Sequence, residues 1–311
     1  MVPRILGVIP VLIGASILIF VAMRVLPGDP IAVLTEGAPL TPQQRLALSH
    51  EYHLDQPVPT QYLLWVRDAV HGDFGLSLKS NEPVSHILGR SLPHTLLLLL
   101  GAFFVSLLIS VPLGMIASLK EASWADQAII SFTMFLLSIP LFISSVLAIY
   151  IFAFQLGILP AVDITGSSTG FADTFRHMIL PWTTLGLALV AVQTATLRAG
   201  LVDALNQEYI LMAQSRGVPW HQVVRRHALR SALVPVVTLL GLQLSYMIVG
   251  SVFVDYIFGL GGLGTVLVNA VNSRDLPLVQ ASVMVVAVFF VLANLAVDLI
   301  AAKLDPRYAV R

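Results

Sequence analysis

Hydrophobic residues in this chain come in long unbroken blocks rather than alternating with polar ones. A helix needs about 20 apolar residues to cross the hydrocarbon of a bilayer. Charge is costly at that depth, so blocks free of Asp, Glu, Lys and Arg are the informative ones. Six such blocks have 19 or more residues: 5–23, 91–119, 127–162, 177–197, 231–254 and 276–297. Each predicts a membrane helix, and the third has room for one tilted helix plus a loop. A further block, 256–273, carries Gly259, Gly261, Gly262, Gly264, Asn269 and Asn272. It predicts a loop or re-entrant segment. The first block exceeds the apolar core of about 7–15 residues in a cleaved signal, and Arg24-Val25-Leu26-Pro27-Gly28 follows it instead of a small-residue cleavage site. A retained first helix is expected.

Composition agrees with the blocks. Of 311 residues, 57% are hydrophobic and only 11% charged, against about 25% charged in a soluble domain. That excludes an ordinary cytosolic enzyme and a disordered chain. Lys+Arg and Asp+Glu are 17 each, so no basic excess argues for nucleic acid. The absence of cysteine excludes disulfides, thiol catalysis and Cys-ligated metals.

Basic residues orient the helices. With the N-terminus inside, Arg4, Lys120, Arg198, Arg216, Arg225, Arg226, Arg230, Lys303, Arg307 and Arg311 all lie inside, while the short outer loops hold only Arg176 and Arg274. The expected architecture is an all-α integral membrane protein of six transmembrane helices with both termini cytoplasmic. Its expected parts are a first helix at 1–26, an extracytoplasmic segment with short helices at 27–92, and a five-helix core at 93–311 with a cytoplasmic loop at 201–231.

Two polar segments interrupt the blocks. In the outer one, Thr41-Pro42-Gln43-Gln44 reads as a capping box. Residues 61–70 carry Tyr62, Leu63, Trp65, Val66 and Ala69 as a helical apolar stripe. In the inner one, residues 206–216 read as a short helix, with Gly217 at its left-handed end and Pro219 opening a second short helix over 220–229. Such an elbow, with Arg225, Arg226 and His227, reads either as a docking surface or as a solvated loop that sets orientation.

Familiar catalytic patterns lack their contexts. The G-x-G-x-x-G at Gly259–Gly264 has no strand before it and lies outside. Asp73-Phe74-Gly75 stands without the other kinase signatures. His50-Glu51-Tyr52-His53 is one residue short of a zincin helix, and no P-loop occurs, so neither a metal nor ATP is expected on this chain. Polar residues within the blocks share helical faces: Gln193 with Thr196, Gln243 with Tyr246 beside Ser245, and Asn294 with Asp298. They mark either a pathway or interhelical hydrogen bonding.

Residues 208–235 carry a more specific signal. Glu208-Tyr209-Ile210-Leu211-Met212-Ala213-Gln214-Ser215-Arg216-Gly217, followed by His227-Ala228-Leu229-Arg230-Ser231-Ala232-Leu233-Val234-Pro235, resembles the EAA loop of ABC importer permeases. The likeness is to the "B" subunit of the dipeptide/oligopeptide branch. Leu211, Met212 and Ala213 stand where the general pattern has Glu-Ala-Ala. Leu26-Pro27-Gly28-Asp29-Pro30, Gly72-Asp73-Phe74-Gly75-Leu76-Ser77, Arg90-Ser91-Leu92-Pro93-His94-Thr95-Leu96, Ser138-Ile139-Pro140 and Leu159-Pro160-Ala161 follow in that branch's order.

The resemblance implies a type I importer permease in the cell membrane that forms half of a peptide pathway. Its partners would be a second permease, two cytoplasmic ATPase subunits holding ATP and Mg, and an extracytoplasmic binding protein. It assigns ATPase coupling to Glu208, Tyr209, Ala213, Arg216, Gly217, Trp220, His221, Arg225 and His227. Gln193, Thr196, Gln243, Ser245, Tyr246 and Asn294 are the pathway candidates. The rival readings are a stand-alone secondary transporter or channel, for which Asp298 is the acidic candidate, and a membrane-embedded enzyme, for which no catalytic pair is found.

Overall fold

In the computed structural model, residues 2–25, 41–43, 46, 55–161 and 170–304 are described. Part of the expected capping box, Gln44 included, lies outside them. The described residues are helical, with one isolated bridge between Leu76 and Pro83. Their helices are α1 (Val2–Val25), α2 (Val58–Val70), α3 (Val84–Leu119), α4 (Trp124–Ser138), α5 (Leu141–Ala148), α6 (Phe171–Leu205), α7 (Glu208–Ser215), α8 (Trp220–Gln222), α9 (Leu229–Phe258), α10 (Leu263–Asn272) and α11 (Leu276–Leu304). Widened π-type turns extend α5 through Ile149–Gln155 and join α8 to α9 through Val223–Ala228.

The chain divides into two compact units, one of residues 1–93 and 262–291, the other of 94–261 and 292–311. In the first, α2 is fastened to α1. Phe20, Tyr62 and Trp65 form a ring cluster, Arg24 lies over Phe20 and donates to Gln61, and Ser16 and Tyr62 share a hydrogen bond of 2.7 Å. α2 stops at Gly72 (φ +80°), where Asp73 N–H reaches Asp68 O and Gly72 N–H reaches Ala69 O. That paired arrangement satisfies the last carbonyls of a helix. The turn that follows is tied down by Ser77, whose hydroxyl donates to Asp275 at 2.5 Å. Asp275 also accepts from Leu278 N–H at the start of α11. Val84 and Leu88 pack there with Leu263, Ala270, Leu278 and Val279.

The second unit carries the longest close-packed pair, α6 against α9. Gly186 lets α6 approach α3, since a Cβ there would lie 2.8 Å from Ala102 O. Gly101 does the same for Trp182, whose indole N–H donates to Leu97 O at 2.9 Å. Small residues at helix crossings are the usual means of close packing between membrane helices.

Among the described residues, three helices are long and apolar enough to span without interruption: Val84–Leu119, Phe171–Leu205 and Leu276–Val297. Two apolar helix pairs are bent at a short break, the form of a broken span or a re-entrant loop, and Val8–Ala22 is a shorter apolar helix. The third apolar block differs from its expected form of one helix and a loop. It makes two limbs, Trp124–Ser138 and Leu141–Gln155, bent by 98°. Pro140 accounts for the break: it has no N–H to donate and disfavours the helical region for the residue before it, and Ile139 is extended (φ −84°, ψ 120°). The block at 256–273 is more helical than expected. α9 runs on through Phe258, ends at Gly259 (φ +61°), and α10 begins at Leu263.

Candidate functional site

The inner polar segment folds into an elbow. Asn206 ends α6, Gln207 precedes α7, and α7 closes on Gly217 at φ +75°. Val218 N–H reaches Ala213 O and Gly217 N–H reaches Gln214 O, the same two-bond closure as at Gly72. A side chain at Gly217 would meet nothing within 4 Å, so its left-handed backbone alone restricts the position. The expected second short helix is instead the start of a long one. Trp220 begins a helix that continues through the π-type turn into α9, with Pro219 just ahead of it.

The elbow has a buried side and an open side. Ile210, Val223 and Ala228 are buried with Leu197, Leu201 and Ala204 of α6 and Ala232 of α9, and Ala213 packs against them. Glu208, Tyr209, Leu211, Met212, Arg216, Gly217, Trp220, His221, Arg225, Arg226 and His227 are exposed. Of the nine residues expected in coupling, eight are exposed, and Ala213 is half-buried against the cluster. The open side carries one acidic residue, Glu208, against three arginines and two histidines.

The residues expected to line a pathway separate. Gln193 (1% exposed) and Gln243 (6%) are interior. Gln193 Nε2 donates to Gln243 Oε1 at 2.9 Å and to Ser106 Oγ at 3.2 Å, and its Oε1 accepts from Ser110 at 2.8 Å. This network joins α3, α6 and α9. Gln243 Nε2 has no hydrogen-bond partner among the described residues. Ser245 and Asn294 bond each other at 3.2–3.3 Å, and Thr196 is half-buried. Tyr246 points outward at 77% exposure, heading a face that continues through Val249, Phe253 and Tyr256. The Asp298 side chain lies outside the described residues.

Asp298 is not the only acid near a span. Asp126, Asp255 and Asp275 are all buried. Asp126, in the first turn of α4, binds the Arg198 guanidinium of α6 through both carboxylate oxygens, Nε and Nη2 each at 2.5 Å. In the sequence, Arg198 shows only as an orienting charge and Asp126 carries no signal of its partner. Both stand at the edges of charge-free blocks, where a partner 72 residues away leaves no local signal. Among the described residues no group of His, Asp and Glu could hold a metal ion.

Residues 110–310 match the family described as binding-protein-dependent transport system inner membrane component. Residues 1–99 match the N-terminal region of such membrane components. The chain is 36% identical over 305 residues to the glutathione transport system permease protein GsiC of Escherichia coli (strain K12), covering 98% of this chain and 97% of that protein. The corresponding protein of Shigella flexneri serotype 5b (strain 8401) gives the same identity and coverage. Among solved structures, a chain of the MetNI methionine ABC transporter in inward-facing conformations is similar in fold, with a TM-score of 0.57 at 17% identity, over 70% of this chain and 96% of that one.

Proposed function

The chain belongs to the inner membrane components of binding-protein-dependent transport systems, the membrane-embedded permease subunits of ABC importers, and from that premise we propose how it works. It forms half of a translocation pathway with a second, homologous permease. Its elbow docks on one of two cytoplasmic ATPase subunits, which hold ATP and Mg and perform the hydrolysis. An extracytoplasmic binding protein brings the substrate, a peptide or related small molecule. The relative named as a glutathione permease supports a short peptide.

The observation that carries this reading is the elbow's construction. Its inner side is anchored in the α6–α9 core, while Tyr209, Arg216, Trp220 and Arg225 are left open. Exposed aromatic and arginine side chains are the usual anchors of a protein interface. An anchored elbow can act as a lever on the two helices it joins, and alternating access is largely movement of such bodies. Tyr246, on the open face of α9, is the pathway residue that the exposure favours. Gln193 and Gln243 hold the bundle behind it.

The test is purification of the tagged chain from its native membrane in mild detergent. A P-loop ATPase and a second permease in stoichiometric amounts are expected. A chain that purifies alone, with no ATPase activity, would overturn the coupling reading in favour of a carrier or channel.

A further inference from the structure

The last turns of α6 are held from two directions. Leu197 and Leu201, on either side of Arg198 in sequence, lie in the buried cluster that holds Ile210, Val223 and Ala228 of the elbow. Gly200 stands against the backbone of Ala232, where a Cβ would be 3.2 Å from the carbonyl oxygen. Arg198 itself reaches away from that cluster to Asp126. The Asp126 carboxylate is 3% exposed and also accepts from Ala122 N–H at 3.0 Å, while Ser123 caps Asp126 N–H. The turn before it is strained, with Ala122 at φ +58°. From Asp126, α4 runs to the break at Pro140 and the 98° bend into α5.

Asp126 is buried and Arg198 half-buried, with side chains 4% and 28% exposed, so desolvation of the carboxylate offsets part of the attraction and stability alone is a weak reason for the pair. Its distinctive property is direction. The planar fork of an arginine on both oxygens of a carboxylate fixes distance and orientation together. We propose that Asp126 and Arg198 are positioning residues that carry movement of the elbow through α6 to α4 and the broken helix beyond it. The proposal rests on the coupling reading above. It adds a route within this chain: elbow, α6, ion pair, α4, bent limb α5.

The chain has no cysteine, so single reporter cysteines can be read directly. Gln214→Cys reports on the elbow, and Phe142→Cys, at an exposed position, reports on α5. In the complete purified transporter, maleimide labelling at each site is compared with and without vanadate-trapped nucleotide. In the otherwise native chain both rates change on trapping. With Asp126→Asn or Arg198→Gln the change at 214 persists, and that at 142 shrinks by at least about fivefold, the low end of ordinary coupling between sites. The exchanged pair Asp126→Arg with Arg198→Asp restores part of the response at 142. Should the single variants fail to assemble, Arg198→Lys keeps the charge and loses the fork, and it too weakens the response at 142.

A full response at 142 in the assembled variants overturns the proposal. So does a native chain in which 214 responds and 142 does not. No response at 214 in the native chain overturns the coupling reading itself, and this inference with it.

Discussion

At Gly186 the backbones of α3 and α6 approach so closely that one added carbon would meet Ala102 O at 2.8 Å. A backbone oxygen cannot swing aside, so the helices themselves must part. Gly186→Ala is therefore expected to cost about 1–3 kcal/mol, the usual penalty of overpacking. Gly89→Ala is the control: it lies in α3 with nothing within 4 Å of the new carbon. Helix propensity alone predicts a gain of up to about 1 kcal/mol there. Thermal unfolding of the purified protein in detergent compares the two. Single residues were the least legible level of the sequence. Gln193 and Gln243 were visible as polar groups on helical faces, yet nothing local could say that they bond each other across 50 positions. A lone polar residue in a span fits a pathway and a crosslink equally well, and only the packed bundle separates them. Asp126 was passed over for a related reason: at the rim of a charge-free block, a paired carboxylate and a solvated one look the same.

Helical elements were far more legible, because the chemistry that places them is local. Gly217 was expected in a left-handed closure, and it is found at φ +75° with the paired bonds of that closure. Since no neighbour crowds the position, substitutions there should rank by backbone conformation rather than by size. Asparagine tolerates the left-handed region and a β-branched residue does not. In the complete transporter, Gly217→Asn should keep most uptake, while Gly217→Val should lose it with assembly retained. Equal uptake by the two variants would show that the closure is not needed for coupling. The breaks were harder to read. Absence of charge measures how long a block is, not whether it bends, so the block at 127–162 read as one helix and a loop. Pro140 divides it, and the second limb stays helical to Gln155 by widening its last turns. The block after Gly259 was expected as a loop or a re-entrant segment; its glycines and asparagines do not separate the two, and Leu263, Val266, Leu267 and Ala270 pack as part of a short helix.

For the whole molecule, membrane embedding and the all-helical fold follow from where charge is missing, but partners have to be inferred from what the fold leaves open. Among the described residues, three of the six apolar blocks form uninterrupted helices long enough to span, two contribute to bent helix pairs, and the first forms the shorter apolar helix Val8–Ala22. Within the first unit, α2 turns Tyr62 and Trp65 onto α1 and leaves Leu63 at 66% and Val70 at 80% exposure. Seven residues apart, these two lie on one face of the helix. Deleting α2 would also remove the ring cluster that holds α1, so substitution on the open face is the cleaner experiment. Leu63→Asp with Val70→Asp alters that face and leaves Phe20, Tyr62 and Trp65 in place. If this face receives the binding protein, ATP hydrolysis by the complete transporter without that protein is unchanged. Its stimulation by the loaded protein falls by about tenfold or more, as expected when apolar anchors of an interface are replaced by charge. Hydrolysis assays across a titration of binding protein separate weakened docking, which added protein overcomes, from a lost response, which it does not. Full stimulation at the native concentration would leave α2 with the single task of clamping α1.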